Sequence, residues 1–106
     1  MKILFDQGVP VPLRSRLVDH EVATAYELGW STLKNGELIA AAEQGGYDLL
    51  LTTDQNLKYQ QNLVGRRISI VVLQTTSWPR IQKHVAAVFA ALSRAIPSSY
   101  EEVPIP

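Results

Sequence analysis

Residues 48–56 read Asp-Leu-Leu-Leu-Thr-Thr-Asp-Gln-Asn, an apolar run that ends abruptly in polar residues. Leu49, Leu50 and Leu51 are typical of a strand that is buried on both faces of a parallel sheet. Asp54 would then lie just beyond the carboxyl end of an interior strand, at the edge of an α/β sheet where ligands bind. There it could ligate a hard cation or position a water. Taken alone, however, the stretch favours Asp54 as the N-cap of the next helix, because capping Asp residues outnumber catalytic ones.

The composition is that of an ordinary globular protein. The 106 residues are 46% hydrophobic and 19% charged, with ten basic and ten acidic side chains. We expect a single domain over residues 1–106, with no overall charge that demands nucleic acid. The absence of cysteine excludes disulfides and thiolate metal sites and is typical of a cytoplasmic protein. We expect neither a signal peptide nor a membrane span, because no apolar run approaches about 20 residues.

Predicted strands and helices alternate along the chain. Short strands are predicted at 3–5, 21–25, 48–52 and 68–73, with a last edge strand at 100–105. Helices are predicted near Pro10 or Pro12, after an N-cap at Asn35, at 55–63 and at about 79–96. This alternation predicts an α/β fold, a three-layer sandwich with a central, mostly parallel sheet of four or five strands.

Two sets of large apolar side chains are expected in the core. The helix at 79–96 has an apolar stripe at helical spacing, and we expect it to bury Val85, Phe89 and Leu92 against the sheet. Leu57 and Leu63 are expected to face inward from the helix at 55–63. Trp30 and Trp78 could mark an exposed surface for a partner, but we expect ordinary core packing for both.

Three acids are predicted to converge at one edge of the sheet. Asp6 follows the first strand, Asp54 follows the third, and Glu37 starts the helix after the second. The carboxyl ends of parallel strands meet at one edge, so we expect these carboxylates within about 10 Å of one another, close enough to share hydrated ions. Clustered carboxylates repel unless a cation neutralises them, and oxygen-only ligands suit Mg²⁺ or Mn²⁺.

Each acid also has a purely structural interpretation. Asp6 could form an Asx turn with Gly8. Glu37 lies in the first turn of its helix, where the helix dipole favours a negative charge. Neither interpretation explains why acids follow successive βα units at the same edge.

Four motifs together resemble a known family. They are Phe5-Asp6-Gln7-Gly8-Val9-Pro10, Glu27-Leu28-Gly29-Trp30, Asn35-Gly36-Glu37-Leu38 and Leu51-Thr52-Thr53-Asp54-Gln55-Asn56-Leu57. The chain resembles the small PIN-like domains of the DUF5615 type over most of its length. The resemblance implies a PIN-like α/β sandwich with an acidic site for Mg²⁺- or Mn²⁺-dependent cleavage of RNA. Many relatives are encoded as toxin–antitoxin or uncharacterised modules, so a cognate antitoxin protein is one expected partner.

The resemblance also implies roles for individual residues. Asp6 and Asp54 would ligate the ion directly, and Glu37 would hold it through water or orient the attacking water. Asn56 would be an auxiliary ligand or a contact to the scissile phosphate. Amides stand at Gln7, Asn35 and Asn56, where relatives often have acids. Amide oxygens can ligate, but they bring no charge, so the expected affinity for a cation is lower.

Three basic residues are candidates to contact the RNA backbone, since phosphate contacts supply most non-specific affinity. They are Lys58, Arg66 and Arg67. For each one separately, a solvated surface position is the simpler interpretation. His20 and His84 are isolated in the sequence, and neither is assigned a catalytic role.

Two other functions are open at this point. The chain could be a catalytically decayed PIN-like module that binds a protein partner, either an antitoxin or a second copy in a homodimer. A phospho-receiver domain also uses acids at this edge. That class needs paired acids after the first strand and a lysine after the last strand, and neither is evident.

Overall fold

A computed structural model describes residues 1–57, 63 and 65–106. The strands are β1 (Lys2–Phe5), β2 (Glu21–Thr24), β3 (Leu49–Thr52), β4 (Ser69–Leu73) and β5 (Tyr100–Val103). A 3₁₀ helix covers Val11–Arg16, and the α-helices are α1 (Asn35–Gln44), α2 (Trp78–Lys83) and α3 (Val85–Arg94). All five predicted strands are confirmed, with bounds that differ by one or two residues. None of the helices in these described ranges is long and apolar enough to cross a bilayer.

The five strands form one parallel sheet in the order β2-β1-β3-β4-β5. In register, Leu4 of β1 lies beside Leu50 of β3, and Leu50 lies beside Ile70 of β4. Helices flank the sheet, so the predicted three-layer α/β sandwich is confirmed. Because all strands are parallel, their carboxyl ends lie along one edge of the sheet.

Successive side chains of the strands enter two separate cores. Ile3, Phe5, Leu49 and Leu51 pack on one face with residues of the 3₁₀ helix, α2 and α3. Leu4, Leu50 and Ile70 pack on the other face with α1 and Leu57. Both faces are therefore covered, which explains why β3 is a continuous apolar run and not an alternating one.

Two of the core predictions are confirmed. Trp78 packs against the first core and Trp30 against the second. Leu57 is buried in the second core, and Leu63 packs against it. The remainder of the helix predicted at 55–63 lies outside the described residues.

The single long helix predicted at 79–96 is wrong. The chain forms α2 and α3, which are separated at His84, where φ is −126° and ψ is 30°. Val85 and Leu92 are buried as predicted, but Phe89 is 44% exposed. At 3.6 residues per turn, Phe89 points about 90° away from the middle of the face that packs on the sheet. The predicted burial of Phe89 is therefore also wrong.

The start of α1 differs from the prediction by one residue. Lys34 occupies the N-cap position, and Asn35 is the first helical residue. The Glu37 carboxylate reaches back and accepts a hydrogen bond from the Lys34 backbone N–H at 3.1 Å. This bond satisfies a backbone donor at the helix start, while the Asn35 side chain is left to bond elsewhere.

Candidate metal site

The two predicted site residues Asp6 and Asp54 lie at the topological switch point of the sheet. The chain passes from β1 to β2 on one side and then crosses over to β3 on the other. In a sheet of this order, the crevice that receives ligands lies between the carboxyl ends of β1 and β3. Asp6 follows β1 directly, and Asp54 follows β3 after one intervening residue. The structure therefore places both acids at this crevice.

Thr52 joins the two strand ends through its side chain. Its hydroxyl donates to Asp6 Oδ2 at 2.8 Å and accepts from the Asp54 backbone N–H at 3.1 Å. Thr52 is fully buried, so its hydroxyl needs partners of this kind. One residue of β3 thereby positions the Asp6 carboxylate and the Asp54 backbone relative to each other.

The Asp6 side chain is held at both oxygens. Oδ1 accepts from the Gln7 backbone N–H at 2.7 Å, and Oδ2 accepts from the Thr52 hydroxyl. The Asp6 backbone is also fixed, because its N–H donates to the Leu51 carbonyl at 2.9 Å. The carboxylate therefore bonds Gln7 and Thr52, not Gly8 as the Asx-turn interpretation expected. The turn itself is closed by the backbone, from the Val9 N–H to the Asp6 carbonyl at 3.1 Å.

The Asp54 side chain connects β3 to the start of α1. Oδ2 accepts from the Asn35 side-chain amide at 2.6 Å, and Oδ1 accepts from the Asn56 backbone N–H at 2.9 Å. The second bond is the kind an N-cap Asp makes two residues ahead. Asp54 therefore has a structural role, whether or not it also binds an ion.

Gly8 brings three loops together above the sheet edge. A Cβ atom at this position would collide with Thr53 Oγ1 and would lie 3.8 Å from Thr76 Cγ2. Thr53 follows β3, and Thr76 follows β4. The distance to Thr76 is an ordinary van der Waals contact, so it is the approach of the loop after β1 to Thr53 that favours glycine. The sequence pattern predicts a turn at Gly8 but does not predict this close approach.

Neither crevice carboxylate is paired with a basic side chain of the described residues. The ion pairs among the described residues join Arg14 to Glu27, Arg66 to Glu43 and Arg94 to Glu101, and none involves Asp6 or Asp54. A carboxylate has about four lone-pair sites, and each of these two has two hydrogen bonds within the described chain. The atoms that could ligate a metal here are all oxygens, which fits a hard cation such as Mg²⁺ or Mn²⁺.

The third predicted acid, Glu37, is engaged with its own helix through the bond to Lys34. Within residues 1–57, 63 and 65–106, no group of three or more His, Asp or Glu side chains is arranged to hold a metal ion. A role for Glu37 at the ion therefore stays a prediction. Asn56 lies on the loop after β3 and is exposed, and its role as a ligand also stays a prediction.

The predicted RNA-contacting residues are not gathered at the crevice. Arg66 and Arg67 precede β4 and so lie at the opposite edge of the sheet. Arg66 pairs with Glu43 Oε1 at 3.0 Å, and the Arg67 N–H donates to Glu43 Oε2 at 2.8 Å. Although burial raises it, these hydrogen bonds hold the pKa of Glu43 below its ordinary value. Lys58 lies outside the described residues.

Two other charged residues lie near the carboxyl edge. Lys34, which had no predicted role, is exposed and directly precedes Asn35, whose amide bonds Asp54. Glu27 follows β2 and is bound by Arg14. Hydrogen bonds from Arg14 and from the Thr24 backbone lower the pKa of Glu27 to about 2. Because both oxygens of Glu27 accept bonds from Arg14, we do not assign it to the metal site.

Comparison of the chain with protein-family models, with curated proteins and with solved structures finds no match. The motif resemblance therefore stays an interpretation of the sequence. The candidate function depends on the chemistry of the crevice between β1 and β3.

Proposed function

We propose that the chain is a Mg²⁺- or Mn²⁺-dependent endoribonuclease whose metal site is the crevice between β1 and β3. The observation that carries the proposal is the Thr52 hydroxyl, which bonds the Asp6 carboxylate and the Asp54 backbone at the switch point. Within the described chain, neither acid is neutralised by Lys or Arg. A cation would relieve the repulsion between them.

Asp6 and Asp54 would hold the ion. Mg²⁺ is usually bound by one or two carboxylates, with waters and substrate phosphate completing its octahedron. The amide oxygens of Asn35 and Asn56 could add neutral ligands, and Glu37 could contact the ion through water. A bound divalent ion lowers the pKa of a water and offsets the charge on a phosphodiester. The chain's own contribution is to fix its two acids before the ion arrives.

RNA is the proposed substrate because the motifs around Asp6, Asn35 and Asp54 resemble those of PIN-like domains. Lys34 directly precedes Asn35 and is exposed, so we assign it a contact to the RNA backbone. On the same resemblance, we propose a cytoplasmic protein that acts as the toxin of a toxin–antitoxin pair. A cognate antitoxin protein would then be its partner.

The proposal is tested by calorimetric Mn²⁺ titration of the wild type and Asp54→Asn. The Asn side chain can still accept from the Asn56 N–H, and the Asn35 amide can turn its oxygen toward the new NH₂ group. We therefore expect stability to change by no more than about 1 kcal/mol. Mn²⁺ affinity should fall about 100-fold or more, because even outer-shell partners of a metal are worth 10–100-fold. Cleavage of a mixed-sequence oligoribonucleotide should fall with it.

Asp48→Asn is the matched control. Asp48 precedes the same strand at its opposite end and accepts a bond from the Lys2 N–H at 2.8 Å. This substitution removes an equal charge far from the crevice, so Mn²⁺ affinity should be unchanged. The proposal would be contradicted if the wild type bound no Mn²⁺ at about 1 mM. Even the weak calcium sites of extracellular protein modules are substantially occupied by their ion at that concentration. If the wild type and Asp54→Asn bound Mn²⁺ with equal affinity, Asp54 would only cap the following segment and would not be a metal ligand.

A second candidate function is a non-catalytic interaction module. It is favoured by the observation that each carboxylate oxygen of Asp6 and Asp54 accepts a hydrogen bond from another group of the chain. In such a module these bonds would only connect β1, β3 and α1. It is the function that remains if the Mn²⁺ titration of the wild type is negative.

A further inference from the structure

The outward side of α3 is unusually apolar for an exposed helix. From Val85 to Ser93, nine consecutive residues include no charged side chain. Ala86, Phe89 and Ser93 are exposed. A helix that covers a core normally carries charged or polar residues on its opposite face. The exposed side of α3 therefore has the composition of a surface that packs against another protein surface.

Phe89 and Val18 form the apolar walls of a groove beside α3. The groove has a volume of about 360 Å³, and it separates α3 from the segment at 16–20. Val18 is 82% exposed and Phe89 is 44% exposed. Leu92, which also lines the groove, is buried. The two exposed apolar side chains thus line one concavity and are not scattered singly, and it is contiguous apolar surface that marks interaction sites.

Opposite charges lie on the rim of the same groove. Arg16 and Asp19 both line it, and neither forms an ion pair with any other described residue. The Arg16 guanidinium lies 5.9 Å from the centre of the Trp78 ring. By contrast, Arg14, Arg66 and Arg94 each pair with a glutamate of their own chain. Beside its apolar centre the groove thus presents one positive and one negative charge, neither of which has an ion-pair partner among the described residues.

We propose that this face docks on the same face of a second copy of the chain, forming a two-fold symmetric dimer. In such a contact the same patch faces itself, so each patch must be self-complementary. Phe89 of each copy would enter the groove of the other, and Arg16 of each would pair with Asp19 of the other. A chain with zero net charge opposes this approach with little overall repulsion. The groove adjoins the start of β2, away from the crevice, so the dimer is independent of the proposed nuclease site.

The first test is the molar mass of the wild type, Phe89→Ser and Tyr26→Ser by sedimentation equilibrium over a concentration series. The wild type should approach twice the chain mass of 11.8 kDa. Phe89→Ser should raise the dimer dissociation constant at least about thirtyfold, the loss expected at an interface hot spot. Tyr26 is 78% exposed and lies beyond the far end of β2, so Tyr26→Ser should dissociate like the wild type. Thermal melts check that both variants are folded.

The second test reverses the charges on the rim. Arg16→Glu should weaken the dimer, because it places two acids opposite each other at both ends of the contact. Adding Asp19→Arg to that variant should restore association, because the two pairs then form with reversed polarity. A wild type that stays monomeric at about 1 mM, the limit of weak association, would overturn the proposal and leave the face to a different protein. A dimer that survives Phe89→Ser would overturn it as well.

Discussion

At the scale of single residues, the crevice depends on side chains that bond across strand ends. Thr52 links Asp6 to Asp54, and Asn35 links Asp54 to α1. Gly8 contributes by having no side chain, because a Cβ atom there would meet Thr53 Oγ1. The chain's own hydrogen bonds therefore fix the positions of the two acids, which is what the proposed metal site would require.

Gly8→Ala should destabilise the fold by about 1–3 kcal/mol, the usual cost of overpacking. The backbone of Gly8 does not have a positive φ, so the expected cost comes from the collision with Thr53. Urea denaturation of the wild type and the variant measures it.

Thr53→Ala provides the matched background for that experiment. It removes the Oγ1 atom but leaves the Cβ atom, which is 3.4 Å from the added methyl group. In a double-mutant cycle, Gly8→Ala should cost clearly less in the Thr53→Ala background. An equal cost in both backgrounds would show that the loop after β1 is not limited by this contact.

At the scale of the elements, the angular position of each side chain on α3 decides which of them reach the core. Val88, Ala91 and Leu92 are buried, whereas Phe89 is exposed. All four lie on one uninterrupted helix, so at 3.6 residues per turn Phe89 is fixed about 90° from the middle of the buried face. The apolar stripe in the sequence is therefore wider than the face that the sheet covers.

Leu92→Ala should therefore cost about 2–5 kcal/mol, while Phe89→Ala should cost about 1 kcal/mol or less despite its larger side chain. Chemical denaturation in dilute protein, where self-association contributes little, compares the two free energies of unfolding. If Phe89→Ala were as costly as Leu92→Ala, the ring would be buried in the monomer and the assigned face of α3 would be wrong.

At the scale of the whole molecule, the sheet has a protected centre and two less protected sides. β3 and β4 are buried along their full lengths, whereas β2 and β5 pair on one side only and are partly exposed. The crevice lies between the carboxyl ends of β1 and β3, so one of its two strands, β3, is buried along its full length. The proposed metal site is thus supported by the part of the molecule that should open last.

Native-state hydrogen exchange tests this ranking strand by strand. Bonded amides of β3 and β4 should exchange only through global unfolding, and those of β2 and β5 through smaller local openings at lower free energy. Exchange in β2 as slow as in β3 would mean that the sheet opens as one cooperative unit. NMR detection under increasing denaturant separates the two cases.

The sequence by itself determined the parallel α/β sheet and the edge on which Asp6 and Asp54 lie. The physical reason is that apolar runs and their alternation with helices are local properties. Once the strands are parallel, a residue that follows a strand must lie at the carboxyl edge. The same rule places Arg66 and Arg67, which precede a strand, at the opposite edge, so their separation from the crevice could also have been predicted.

Only the tertiary structure decided the contacts between segments that are distant in the chain. The bond from Thr52 to Asp6 and the approach of Gly8 to Thr53 depend on the exact register and on loop conformation. The exposure of Phe89 depends on how much of the apolar stripe of α3 the sheet covers. Sequence periodicity shows which side chains are apolar, but it does not show how wide a face the neighbouring layer covers. That width is set by packing between elements.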